Sequence, residues 1–264
     1  ASSDLSVTGY AGTITDEAGG AAAAASGDLG TVTIEGDAPD LSSVSATSGN
    51  YGVGETIDVT VTWDEAVIAT GTPTLDLSNG ATASYSSGSG SVSLIFQYVV
   101  AESDSASSGL SVTSSSGNLA DSAGGSAASV SGSLGVVTVD GDAPDLDTVS
   151  ATNGNYGVGE TIEITVTWDE AVVSTDATLT LSNGDTATLS SGSGTTALVF
   201  STTVAEGDTS SSGLSVSSYS GTITDSAGGA AAAATGSLGS VSVDGDAPDF
   251  TSVSATDDSY GVGE

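Results

Sequence analysis

Apolar residues recur along this chain with a period of two. The run TIDVTVTW, residues 56–63, puts Ile57, Val59, Val61 and Trp63 on one side of an extended chain, and Asp58, Thr60 and Thr62 on the other. A second copy places Ile162, Ile164, Val166 and Trp168 in the same way. Residues 91–100, SVSLIFQYVV, alternate Val92, Leu94, Phe96, Tyr98 and Val100, while Leu75 with Leu77 and Leu110 with Val112 mark shorter strands. SNG and SGSG turn signals separate these runs, with SSGSG (86–90 and 190–194) read as a hairpin tip. About seven short strands in about 100 residues predict a β-sandwich. Helical periodicity is absent. The alanine runs at 18–26 and 227–235 are flanked by glycine and too short to nucleate a helix. They are expected to be extended or looped, with small side chains that let backbones approach closely, within a domain or between molecules. Trp63 and Trp168 end inward-facing rows and are expected as core anchors.

The pattern repeats. GDAPD occurs at 36–40, 141–145 and 245–249, and YGVGE at 51–55, 156–160 and 260–264, so successive copies lie 105 and then 104 residues apart. TVTWDEAV and D-x-A-G-G keep the same phase. The predicted organisation is the C-terminal part of a repeat over 1–36, complete repeats over 37–141 and 142–245, and the N-terminal part of another over 246–264. Such a chain is expected to be a window on a longer array, or a subunit whose broken unit a neighbour completes. Three of the four prolines sit in DAPD, which reads as a short, stiff linker between domains.

Composition narrows the function. There is no Lys, Arg or His, and the formal charge is −34. This excludes nucleic acid, whose phosphates are bound mainly by Lys and Arg, and any attraction to an anionic membrane. Disorder is opposed by a hydrophobic share of 37% that is patterned, not scattered. No apolar run approaches the roughly 18 residues of a membrane helix, so direct membrane insertion is not expected. Without Cys there is neither a disulfide nor a thiolate site. No catalytic base or nucleophile beyond carboxylate, hydroxyl and phenol exists, and the available carboxylate pairs recur once per repeat, so an enzyme is not expected. The lack of any site for trypsin-like proteases suits a protein outside the cell.

The order VSATNGNYGVGETIEITVTWDEAV, then TLTLSNG, LVFSTTVAEGD and D-x-A-G-G, resembles the bacterial immunoglobulin-like repeats of giant secreted adhesins and cell-surface proteins. In that family the middle strand commonly reads close to ITVTFSEAV and the late loop close to D-x-A-G-N. The resemblance implies tandem immunoglobulin-like β-sandwich domains in a linear extracellular or cell-surface array and, in many members, calcium at the domain junctions. This chain departs from it in ending the late loop with Gly and in lacking basic residues.

A sandwich-like strand order predicts where the acids gather. YGVGE falls at the far pole of its domain, beside the last strand, while WDEAV and D-x-A-G-G fall at the near pole, beside the preceding linker. The expected metal ligands at the central junction are Glu55, Asp140, Asp142, Asp169, Glu170 and Asp225. One flanking junction has Glu35, Asp37, Asp64, Glu65 and Asp121; the other has Glu160, Asp244 and Asp246. Two carboxylates about 5 Å apart repel by about 1 kcal/mol in water and by several when shielded. Calcium, which takes six to eight oxygen ligands, relieves that repulsion better than magnesium, and zinc and copper lack His or Cys here. Asp104 and Asp208 read as turn residues able to join a far-pole site. The expected function is a non-enzymatic stalk or filament stiffened by calcium, with neighbouring repeats of the same chain as partners and, in a filament, other copies. The alternatives are an adhesion module for carbohydrate or a partner protein, and a salt-adapted acidic surface without specific metal.

Overall fold

The structure is a computed structural model that describes residues 5–30, 32, 34, 36–209, 211–254 and 262. Every regular element among them is a strand. The chain divides into two compact units, Ala1–Asp142 and Ala143–Glu264.

In the second unit, Ile162, Ile164, Val166 and Trp168 point inward from Thr161–Val172 and are each at most 1% exposed. One sheet runs in the order Leu146–Ala151, Thr161–Val172, Thr195–Thr203, Thr186–Ser191, Thr178–Leu181, Ser215–Ser220 and Gly236–Ser237. A smaller sheet sets Val241–Asp244 between Gly154–Gly157, to which it is parallel, and Ser211–Ser212. Inward side chains of both sheets meet in one core that includes Trp168, Phe200, Leu179, Leu214, Val216 and Val241. This is the β-sandwich that the alternation predicts.

The first unit repeats it. Thr56–Val67 and Thr161–Val172 bury the same positions in the same order. Leu41 faces Trp63 as Leu146 faces Trp168, each pair followed by the same bulge. The first unit has one residue more before its SNG turn. There Thr56–Leu77 is a single strand, and its pairing with Ser111–Ala120 shifts register between Thr70 and Thr74. Pro73 sits at this bulge, where a missing ladder donor is tolerated. It packs against Gly117, whose Cβ, if present, would come 2.6 Å from the Pro73 Cα. Val92 departs from its expected place: it is 46% exposed, at the strand end beyond the shift between Thr62 and Val67.

The alanine run of the second unit is extended and looped. Ala231 and Ala234 are buried, and Tyr219 donates its hydroxyl to the Ala231 carbonyl. Close approach is thus made within the unit. Residues 5–30 keep the local pairings of this region, with Ser6 opposite Asp28 and Thr15 bridged to Ala21. Their apolar side chains do not join the first unit's core. Ile14 and Leu29 are 53% and 50% exposed, whereas their counterparts Ile223 and Leu238 are each 2% exposed. Local hydrogen bonds form this hairpin, but burial of its inner face requires the other strands of a unit.

The turn before Ser107–Ser108 holds the only non-glycine residue with positive φ among those described, Ser103 at 71°. Its counterpart is Gly207, at 88°. Left-handed backbone costs a residue with a Cβ about 1–2 kcal/mol, partly offset by the freedom glycine adds to the unfolded chain. Ser103→Gly is expected to stabilise the first unit by about 0.5–1 kcal/mol, measured by urea denaturation.

Candidate functional site

The linker residues are fastened to the unit they enter. Asp145 donates its N–H to Asp169 Oδ1 at 2.8 Å, and Asp169 returns its own N–H to the Asp145 carbonyl at 3.1 Å. Asp40 and Asp64 repeat this at 2.8 and 3.1 Å. The carbonyls of Pro144 and Pro39, both buried, accept from Ala232 and Ala128, each at 2.8 Å. The near pole therefore gathers the linker, WDEAV and the segment after D-x-A-G-G, as the sandwich order predicts. Within WDE the strand alternation divides the acids: Asp64 and Asp169 are exposed and latch the linker, while Glu65 and Glu170 are half-buried.

The D-x-A-G-G loop closes around its aspartate. Asp225 Oδ1 accepts from the N–H groups of Ala227 (2.6 Å) and Gly229 (3.0 Å), and Asp121 Oδ1 accepts from Ala123 and Gly125 at 2.7 and 2.8 Å. Asp16 does the same at the surface, with 2.9 and 2.7 Å. The other oxygens, Asp225 Oδ2 and Asp121 Oδ2, are buried with no hydrogen-bond partner. The final glycine has a structural reason, since a Cβ at Gly125 would come within 2.5 Å of Asp121 Oδ2. An asparagine there would displace the carboxylate.

In the second unit, carboxylate oxygens of Glu170 and Asp225 lie within 4.8 Å of each other. Asp225 is only 4% exposed. At an effective dielectric of about 20, two charges at such a distance repel by about 3 kcal/mol. A buried, unpartnered carboxylate oxygen beside a second carboxylate is a hard-oxygen donor set of the kind calcium takes. It cannot be an ion pair, because the chain has no cationic side chain.

The far poles are arranged differently. The parallel pairing of Gly49–Tyr51 with Val137–Val139 brings Asp140 beside Tyr51, whose carbonyl accepts the Asp140 N–H at 2.9 Å. Glu55 and Glu160 fold back on their own turns, accepting from Gly52 and Gly157 at 3.2 and 2.9 Å. Asp142 and Asp246 donate N–H to Asp140 and Asp244, at 3.4 and 3.2 Å. Asp37 is exposed at the start of its linker. Glu35 lies outside the described residues. Asp104 and Asp208 close their turns on Ala101 and Ala205, at 2.8 and 2.6 Å.

A network without sequence warning sits at the first unit's far pole. Asn79 Nδ2 donates to the Tyr98 hydroxyl at 3.0 Å, and Tyr98 donates to Asp104 Oδ2 at 2.8 Å. Burial first, then the Asp104 contact, raises the Tyr98 pKa from 10.0 to about 12. The folded state holds this proton more tightly than the unfolded chain. Its stabilisation is thus complete below pH 10.0 and fades as pH rises through about 12. Absorbance titration is expected to show one tyrosine ionising near about 12, and Tyr98→Phe should remove it and cost about 1.5 kcal/mol.

Strand topology and poles thus define a pair of all-β sandwich units with acidic near poles. No protein-family model matches the chain, and no curated protein matches its sequence. Among solved structures it is similar to the I-band fragment I67-I69 from titin, with 11% identity and a TM-score of 0.37 over 79% of this chain. The chain spans 66% of that fragment. It is also similar to fibronectin(III)-like modules of Clostridium thermocellum CbhA, with 13% identity and a TM-score of 0.30, covering 76% of this chain and 93% of that one. The sandwich assignment rests on the strand order and registers described above.

Proposed function

We propose that the chain is part of a non-enzymatic extracellular array of immunoglobulin-like units whose junctions are stiffened by calcium. The buried Asp225 Oδ2, without a hydrogen-bond partner and beside the Glu170 carboxylate, carries this proposal. Glu170 and Asp225 supply the anchoring oxygens, and the linker acids Asp140 and Asp142 with Glu55 are the proposed junctional complement. Backbone carbonyls and water fill the remaining positions, since calcium takes six to eight oxygens. Glu65 and Asp121 repeat the anchoring pair in the first unit, with Asp37 and Glu35 from its linker, and Glu160, Asp244 and Asp246 offer the far-pole acids for a following repeat. A stalk of near-identical units suits spacing and repetition, and lateral assembly into a filament needs divalent ions to bridge such like-charged surfaces.

Calorimetric titration of the whole chain should show calcium binding, and calcium at a hundredfold excess over Kd should stabilise the protein by about 2.7 kcal/mol. Small-angle scattering should show an extended, stiff particle with calcium and a looser one with chelator. Identical scattering and unfolding midpoints in both conditions would sink the proposal.

A further inference from the structure

We infer that the cation at Asp225 and Glu170 closes a ring of contacts that clamps the linker peptide Pro144–Asp145 to the second unit, with Asp169 as its positioning residue. The inference rests on the calcium site proposed above. Around the ring, the Asp225 loop is fixed by the two N–H groups on Oδ1 and by the Asp225 N–H to the Gly229 carbonyl at 3.0 Å. Two residues later Ala231 donates to the Ile223 carbonyl at 2.9 Å, and Ala232 donates to the Pro144 carbonyl at 2.8 Å. The Ala232 carbonyl accepts the Trp168 indole N–H at 3.4 Å. Asp145 is bound reciprocally to Asp169, and Asp169 is covalently next to Glu170. Every step is attractive or covalent except the last, where Glu170 and Asp225 set two negative oxygens within 4.8 Å.

Without a cation that step is repulsive, and the ring opens more readily there. Only Ala230 and Ala231 separate Gly229 from Ala232, so a displaced Asp225 loop pulls on the Ala232–Pro144 bond. Likewise, Glu170 swinging away drags Asp169 from Asp145. Bound calcium turns the repulsive step into an attractive one, and the linker is held from both sides. Asp169 Oδ1 is already committed to the Asp145 N–H, so its effect on the ion is exerted through the backbone it shares with Glu170.

The test is amide hydrogen exchange on the whole chain, in calcium and in chelator, with calorimetry run in parallel. The Ala232 and Asp145 amides are expected to exchange at least tenfold more slowly with calcium, while the Leu198 and Phe200 amides in the central strand stay unchanged. Glu170→Gln takes one negative charge from beside Asp225, so its Ala232 and Asp145 amides should exchange more slowly in chelator than those of the parent. Asp169→Ala should weaken calcium binding about tenfold, as loss of a residue that orients a ligand does, whereas Asp169→Asn keeps an acceptor oxygen and should keep the affinity. Calcium binding with no change at these two amides overturns the clamp and leaves the site standing. Equal loss in Asp169→Asn and Asp169→Ala overturns the positioning role. No calcium binding at all overturns both the site and the clamp.

Discussion

Trp168→Ala is expected to lower the stability of the second unit by about 3–5 kcal/mol, the range for deleting a fully buried large aromatic side chain. Trp168 is 1% exposed, ends the inward row of Thr161–Val172, and lies opposite Leu146 at the start of the first strand. Its ring fills the near-pole end of the core, where small alanines cannot collapse into the vacated space. The substitution also deprives the Ala232 carbonyl of its indole donor. Domains of ordinary size hold only about 5–15 kcal/mol in total, so the loss threatens the whole unit. Urea unfolding followed through the methyl resonances of Ile162 and Val166 would measure it. A midpoint unchanged from the parent would show that Trp168 is dispensable to the core.

Gly192→Ala is expected to be the next most damaging, at about 3 kcal/mol, because strained backbone and a steric collision coincide. Gly192 has a φ of 101°, and a Cβ there would come 2.1 Å from the Ala197 carbonyl oxygen. That oxygen belongs to the hairpin strand Thr195–Thr203 and cannot move without breaking the pairing of Ala197 with Thr167. Gly88 repeats the geometry in the first unit, 2.3 Å from the Ser93 carbonyl oxygen. Gly194, in the same turn at 85°, has open space around its Cβ direction and should tolerate alanine better. Thermal unfolding of the two variants side by side separates collision from backbone strain.

Much of the fold was legible because burial here follows a period of two. Ile57, Val59, Val61 and Trp63 are read inward from alternation alone, and they are inward. The same rule fails at Val92, where a bulge ends the phase that a linear pattern assumes to continue. Strand order determines which loops share an end, and the linker, WDEAV and the segment after D-x-A-G-G do meet within each unit. Sequence alone did not distinguish the tasks of the acids there. Asp169 latches the linker and Asp225 sits in a closed loop, yet both read as free carboxylates until the backbone donors around them are known. Tyr98 looked like one more inward residue. Its partners Asn79 and Asp104 come from two separate turns that only tertiary folding brings together.

The parallel pairing of Gly154–Gly157 with Val241–Asp244 has a mechanical meaning. One strand lies near the entry of the polypeptide to the unit and the other near its exit. Tension applied through the two ends therefore drags these strands past each other lengthwise. Their hydrogen bonds are loaded in shear and must yield together, where a hairpin pulled from its open end would unzip one bond at a time. A unit built this way resists traction along this seam with all of its bonds at once.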